Sequence, residues 1–188
     1  MPTEPAPATT EETAADGPPR ALLIAGVVVA VLAIAAVLGI AATRQAPVQP
    51  VVIASVPAPK ADSSTCRALL DALPANLGEF KRVAAADPVP PGAAAWRGSA
   101  DNFPVIMRCG IGRPAEFVVG SPIQMVNAVQ WFRLDDPDVD RSTWVTVDRP
   151  VYVALTLPTE SGPTPIQTLS DLIARTMPAV PIDPNPAR

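Results

Sequence analysis

The side chains able to do chemistry are few and scattered. Among 188 residues there are two cysteines, Cys66 and Cys109, and no histidine. The missing imidazole removes Ser-His-Asp and Cys-His catalysis, histidine metal sites and titration near neutral pH. No S-x-x-K or G-x-S-x-G sequence offers another activated nucleophile. Gly110 and Gly112 are followed by Arg113, Pro114 and Ala115, so a phosphate-binding G-x-G-x-x-G fails at its last position. No catalytic residue and no cofactor are therefore expected. The enzymatic alternative is a small hydrolase using two carboxylates on cell-wall material, since their separation in space is not written in the sequence.

Cys66 and Cys109 carry the most specific chemistry. They are either two buried reduced thiols or a disulfide. A bond closing the stretch between them would stabilise the fold by about 4 kcal/mol in the chain-entropy model and would require an oxidising compartment. Asp136, Asp138 and Asp140 form a D-x-D-x-D run that resembles the opening of a calcium loop. An EF-hand starting at Asp136 would need glycine sixth and glutamate twelfth, where this chain has Arg141 and Val147. The run is weak as a metal site and reads better as a solvated hairpin connection. Four further residues form a possible ligand or partner surface: Trp96 in an apparent loop, its neighbour Arg97, Arg108 beside Cys109, and Asn127 inside an apolar run. Trp131 and Trp144 fall on predicted strands and are assigned to the core.

The elements that must position these residues begin with a membrane segment. Ala21 to Thr43 is uncharged and free of proline, and 23 residues of helix span about 34 Å, enough to cross a bilayer. A cleavable signal peptide would carry a shorter apolar stretch behind a basic leader. Here the leader holds Glu4, Glu11, Glu12 and Asp16 against Arg20. An uncleaved single-pass anchor is expected. The flanking positive charges do not fix its direction. The cysteine pair and the proline-rich connector favour a cytoplasmic N-terminus and an extracytoplasmic C-terminal domain. The predicted organisation is a disordered leader at 1–20, the anchor at 21–43, a Pro-rich linker at 44–61, a folded domain at 62–177 and a flexible tail at 178–188.

Within that domain the periodicity predicts an α+β fold. Ser63, Ser64 or Thr65 caps a helix carrying Leu69, Leu70 and Leu73 and stopped by Pro74. Thr164 caps a second, with Pro165 first and Gln167 completing a capping box. Between them, FPVIMRCG, AEFVVG, QMVNAVQWFRL, STWVTVD and PVYVALTLP read as short strands, with a turn at GIGRP. The expected architecture is a small antiparallel sheet of four to five strands packed with one or two helices. The formal net charge is −4 and no basic stripe is present, so nucleic acid is excluded as a partner.

Several residues together carry a family resemblance. Cys66 with Leu73 and Pro74, then Trp96, Arg108-Cys109-Gly110 with Pro114, Val126-Asn127 through Trp131, and Arg149 are similar to the actinobacterial domain-of-unknown-function 3515 family. The resemblance implies a small membrane-anchored or secreted protein and supplies no catalytic residue. Where it would place Trp-Gly, this chain has Trp96-Arg97. Usage rich in alanine, proline and arginine fits an actinobacterial source. The functional expectation is a non-enzymatic envelope module at the cell membrane, whose partners are the membrane and another envelope protein or a cell-wall component.

Overall fold

The computed structural model describes residues 20–43, 49–98, 103–136 and 139–187; the side chains of residues 20, 41–43 and 136 are outside that description. The chain divides into two compact units, residues 1–47 and 48–188. The first contains helix α1, Arg20–Thr43. Residues 21–40 are all exposed, and the window Ala21–Ile40 has a mean hydropathy of 3.1. A helix of this length and composition serves as a membrane anchor or as a signal sequence.

The second unit is one antiparallel sheet backed by two helices. Its elements in chain order are α2 (Ser64–Asp71), β1 (Asn76–Leu77), β2 (Phe80–Val83), β3 (Ala93–Arg97), β4 (Val105–Ile111), β5 (Ile123–Val126), β6 (Val129–Asp136), β7 (Arg141–Thr146), β8 (Tyr152–Pro158) and α3 (Thr164–Thr176). The strand order is β1-β2-β3-β4-β8-β7-β6-β5. Two meanders of four strands thus meet where β4 pairs with β8. The sheet has eight strands, where four to five are expected from sequence. The difference lies in β1 to β3 and in β5. Ala93–Ala95 reads as low complexity, yet β3 is held by β2 and β4 on its two sides. Small side chains there let covering elements close on both faces, an instance of context overriding strand propensity.

Two expected strands are rebuilt. QMVNAVQWFRL is a hairpin rather than one strand: Val126 pairs with Val129 across Asn127, whose φ is +51°, a left-handed conformation that asparagine tolerates. AEFVVG is a turn with a single bridge from Val118 to Asn185. PVYVALTLP is a strand as expected, and Val151, Val153, Leu155 and Leu157 are all buried, the period of two of a sheet with a core side.

α2 and α3 cover one face of the sheet. Leu69, Ile166, Leu169 and Ile173 from the helices join Trp96, Met107, Trp131, Val153 and Leu155 from the strands in one core. Ser63 caps α2 by accepting from the Cys66 amide at 3.2 Å. α3 departs from the predicted capping box, because its cap is Pro163, no side chain bonds the cap, and Thr164 is already helical. Pro165 therefore sits in the first turn, where its missing N–H costs no bond.

Neither α2 nor α3 packs on the opposite face. One end is covered by Val51 and Ile53, which pack with Ala95. Val51 donates to Ala84 at 2.9 Å and accepts from Ala86 at 2.8 Å. The other end is covered by Phe117 from the β4–β5 connection, packed on Phe132 and Val147. Part of the expected linker is docked, and the expected tail is pinned: Asn185 donates to the Pro114 and Phe117 carbonyls at 2.9 and 3.0 Å, and Asp183 pairs with Arg113 at 2.7 Å.

Candidate functional site

Between the two coverings on the helix-free face the sheet remains open. There a cleft of about 640 Å³ is floored by β4, β8, β7 and β6. Paired residues of an antiparallel ladder share a face, so the registers Ile106↔Thr156↔Thr143 and Arg108↔Ala154↔Val145 lay two rows of side chains side by side. One wall is the extended chain around Val52 to Pro57, the other the turn from Gly112 to Glu116. Val52 is 81% exposed, although its neighbours Val51 and Ile53 are buried.

Arg108 stands on this floor and donates from Nη2 to the Ala54 carbonyl at 3.3 Å. Its Nε is buried and has no hydrogen-bond partner among the described residues. Burial first, and then the positive charge of Arg141, hold the Arg108 guanidinium below the usual arginine range. Thr143 and Thr156 face each other across the β7–β8 pair with their hydroxyl oxygens 3.0 Å apart.

The other sequence candidates distribute differently. Arg97 lies on β3, and the register Ala95↔Ile106 puts it on the same sheet face as Arg108, outside the cleft lining. Trp96 is corrected: it is fully buried on the helix face, its indole N–H donates to the Pro74 carbonyl at 3.1 Å, and it offers no surface to a ligand. Sequence reading misplaced it because the alanine-rich stretch before it carries no strand signal.

Asn127 serves the hairpin turn, donating to Asp171 at 2.7 Å and to the Gln167 carbonyl at 3.3 Å, which ties β5 and β6 to α3. It also borders a second cleft of about 410 Å³ with Trp144 and Arg133. Trp131 is buried as expected, bonded to Ser170 at 3.0 Å, whereas Trp144 is partly exposed beneath Arg133 at 5.3 Å. Of the aspartate run, Asp138 and the side chain of Asp136 lie outside the described residues, and Asp140 is exposed. Among the described residues no group of three or more acidic, histidine or cysteine side chains converges.

Cys66 and Cys109 are joined by a disulfide, with Cα atoms 5.6 Å apart and both residues fully buried. The bond fixes α2 to β4 one residue from Arg108. Gly110, next in the chain, has φ +90°, and a Cβ there would overlap the backbone of Lys60 and Ala61. Lys60 donates its amide to the Gly110 carbonyl at 3.0 Å. The short sequence Arg108-Cys109-Gly110 thus carries the cleft's central cation, the staple and the docking point of the chain leading into α2. The turn expected at GIGRP begins only after Ile111.

A family model described as Protein of unknown function (DUF3515) matches residues 27–182. The chain belongs to the DUF3515 family. The match runs from inside α1 to the pinned C-terminal segment, so the apolar helix, both helices of the folded unit and the whole sheet fall within the family's extent. No curated protein and no solved structure matches the chain.

Proposed function

We propose that this DUF3515 chain is a single-pass, membrane-anchored envelope protein whose C-terminal domain is a non-catalytic binding module, with the helix-free cleft as its ligand site. One observation carries the reading: a cleft of about 640 Å³ on the sheet surface, lined by apolar residues with a few converging arginines and hydroxyls, which is the usual make-up of a ligand site. The apolar helix supports the anchor, and the Cys66–Cys109 bond supports an oxidising, extracytoplasmic setting. Composition rich in alanine, proline and arginine supports an actinobacterial source. The partner is another envelope protein or a wall or lipid component.

Photo-crosslinking tests the site. With p-benzoylphenylalanine in place of Val52, on the cleft wall, adducts form in the envelope. With the same group in place of Met125, on the β5–β6 hairpin, they do not. Absence of any adduct specific to position 52 removes the cleft as the ligand site.

One observation favours the hydrolase as a second reading. Asp140 and Glu160 both line a cleft of about 290 Å³ with Phe80 and Phe103, and both are exposed. Hydrolysis of cell-wall glycan by the full chain, abolished in both D140N and E160Q, would replace the binding reading with a catalytic one.

A further inference from the structure

The cleft brings together two cations that have no counter-charge among the described residues; the side chain of Asp136, the ladder partner of Arg141, lies outside that description. Arg108 and Arg141 both line the cleft, and neither has an acidic partner among the described residues. Arg113 at the rim differs, being already paired with Asp183. Glu116 is the one carboxylate in the lining and pairs with neither arginine. Two like charges placed together, one of them partly desolvated, raise the free energy of the empty site. Such an arrangement marks a functional site more often than a structural one. The buried Nε of Arg108 has no hydrogen-bond partner among the described residues, whereas buried polar groups are normally satisfied.

Two further features define what would fill the site. Thr143 and Thr156 share one hydrogen bond between their hydroxyls; each hydroxyl carries one proton, so the pair keeps a spare O–H to donate. Ala154 and Val145 on the floor are already buried, and the apolar side chains around these donors that meet water are Ile106 and, on the wall, Val52 and Val56. A small inorganic anion would satisfy the arginines and leave those side chains in water. A neutral apolar molecule would do the reverse.

We propose that the cleft binds an anionic amphiphile, its phosphate or carboxylate head held by Arg108, Arg141 and the threonine hydroxyls and its apolar portion lying on Ile106 against Val52 and Val56. The assignment rests on the reading of the cleft as the ligand site. Arginine suits the head, since its planar fork pairs with either kind of oxyanion in bidentate fashion. Burying the chain removes the remaining apolar surface from water.

The test uses the full chain in phosphatidylcholine nanodiscs, titrated calorimetrically with hexyl phosphate, inorganic phosphate and hexanol, with empty nanodiscs subtracted. Hexyl phosphate binds at least tenfold more tightly than either other probe, and R108Q and R141Q each weaken it at least tenfold. Arg141 is exposed, so R141Q keeps the test valid even if R108Q disturbs the fold. Inorganic phosphate binding as tightly as hexyl phosphate reduces the site to an anion site and overturns the proposal. So does hexanol binding as tightly, absence of binding by all three, or indifference to both substitutions.

Nanodiscs containing phosphatidylglycerol separate the sources of the ligand: competition with hexyl phosphate assigns the head to a membrane lipid, and lack of competition to a soluble amphiphile, each in support. If hexyl phosphate fails while position 52 still crosslinks in the envelope, the ligand class is wrong and the cleft stands. If both fail, the binding reading falls with it.

Discussion

Asp148 and Arg149 are each 4% exposed, and their ion pair at 2.8 Å joins three separate stretches of chain. Arg149 also donates from Nη2 to the Ala128 carbonyl in the β5–β6 turn at 2.6 Å, and the Asp148 carbonyl accepts from Val180 beyond α3 at 2.9 Å. Removing one member leaves the other charged and buried, at a cost of about 3–5 kcal/mol. Arg149→Leu is therefore expected to lower stability by that amount. The double change of Asp148 and Arg149 to leucine costs less than the sum of the single ones. Urea unfolding followed by tryptophan fluorescence measures both, and a loss under about 1 kcal/mol for Arg149→Leu would show that the pair does not hold this junction. Trp131 gives a smaller case. Ser170→Ala strands a buried indole N–H at about 1–3 kcal/mol, read in the same experiment. Arg149 was visible in the sequence through the family resemblance alone. The bonds from this pair to Ala128 and Val180 were not, because they join residues 21 and more positions apart in sequence, and only folding brings those together.

Among the elements, those with strong local signals were legible and those stabilised by neighbours were not. β4, β7 and β8 carry β-branched residues bounded by Gly, Pro or Asp, and α2 and α3 carry leucines and isoleucines at helical spacing; all five were read from sequence. β3 was not, because alanines give no strand signal and its stability comes from the ladders on either side. The cleft was half legible. Arg108 was singled out as a polar residue beside Cys109, but Arg141, Thr143 and Thr156 had no signal, since facing one cleft is a matter of strand register.

Gly110 has a sharper consequence at this scale. The ladder between β4 and β8 shifts register between Cys109 and Ile111, and the chain at Lys60 and Ala61 lies where a side chain on residue 110 would be. Gly110→Ala must both adopt positive φ and displace that backbone. It is expected to destabilise by more than the roughly 1 kcal/mol that a strained but unobstructed alanine costs, whereas Gly112→Ala, with nothing within 4 Å, changes stability by less than about 1 kcal/mol. Thermal melts of the two variants decide it; equal melting temperatures would remove the close approach as the reason for a glycine at 110.

At the scale of the whole molecule the disulfide and the apolar helix bear on one question, the side of the membrane on which the folded unit resides. The bond closes a sequence separation of 43 residues, so its loss is expected to cost about 2–5 kcal/mol, a large share of the stability of a domain this size. Cys66→Ser, Cys109→Ser and the double variant should lose similar amounts, because the same bond disappears in each. A fold that depends on this staple is stable only where thiols are oxidised. Alkaline phosphatase, active only outside the cytoplasm, should therefore be active when fused after Arg188 and inactive when fused after Arg20; the reverse pattern would place the folded unit inside.

The remaining alternative concerns α1 itself, which by length and composition serves as an anchor or a signal sequence. Its apolar window of 20 residues exceeds the 7–15 typical of a signal peptide, and the leader before it is net acidic, with Arg20 outnumbered by carboxylates, where a signal peptide has a basic one. An anchor predicts that the chain stays in the membrane fraction after an alkaline carbonate wash, with peptides of α1 still present in it. Recovery of a shorter form in the medium, beginning beyond α1, would make the helix a signal and release the cleft from the bilayer. The phosphatidylglycerol competition would then decide alone whether a bilayer lipid or a soluble amphiphile supplies the cleft's ligand.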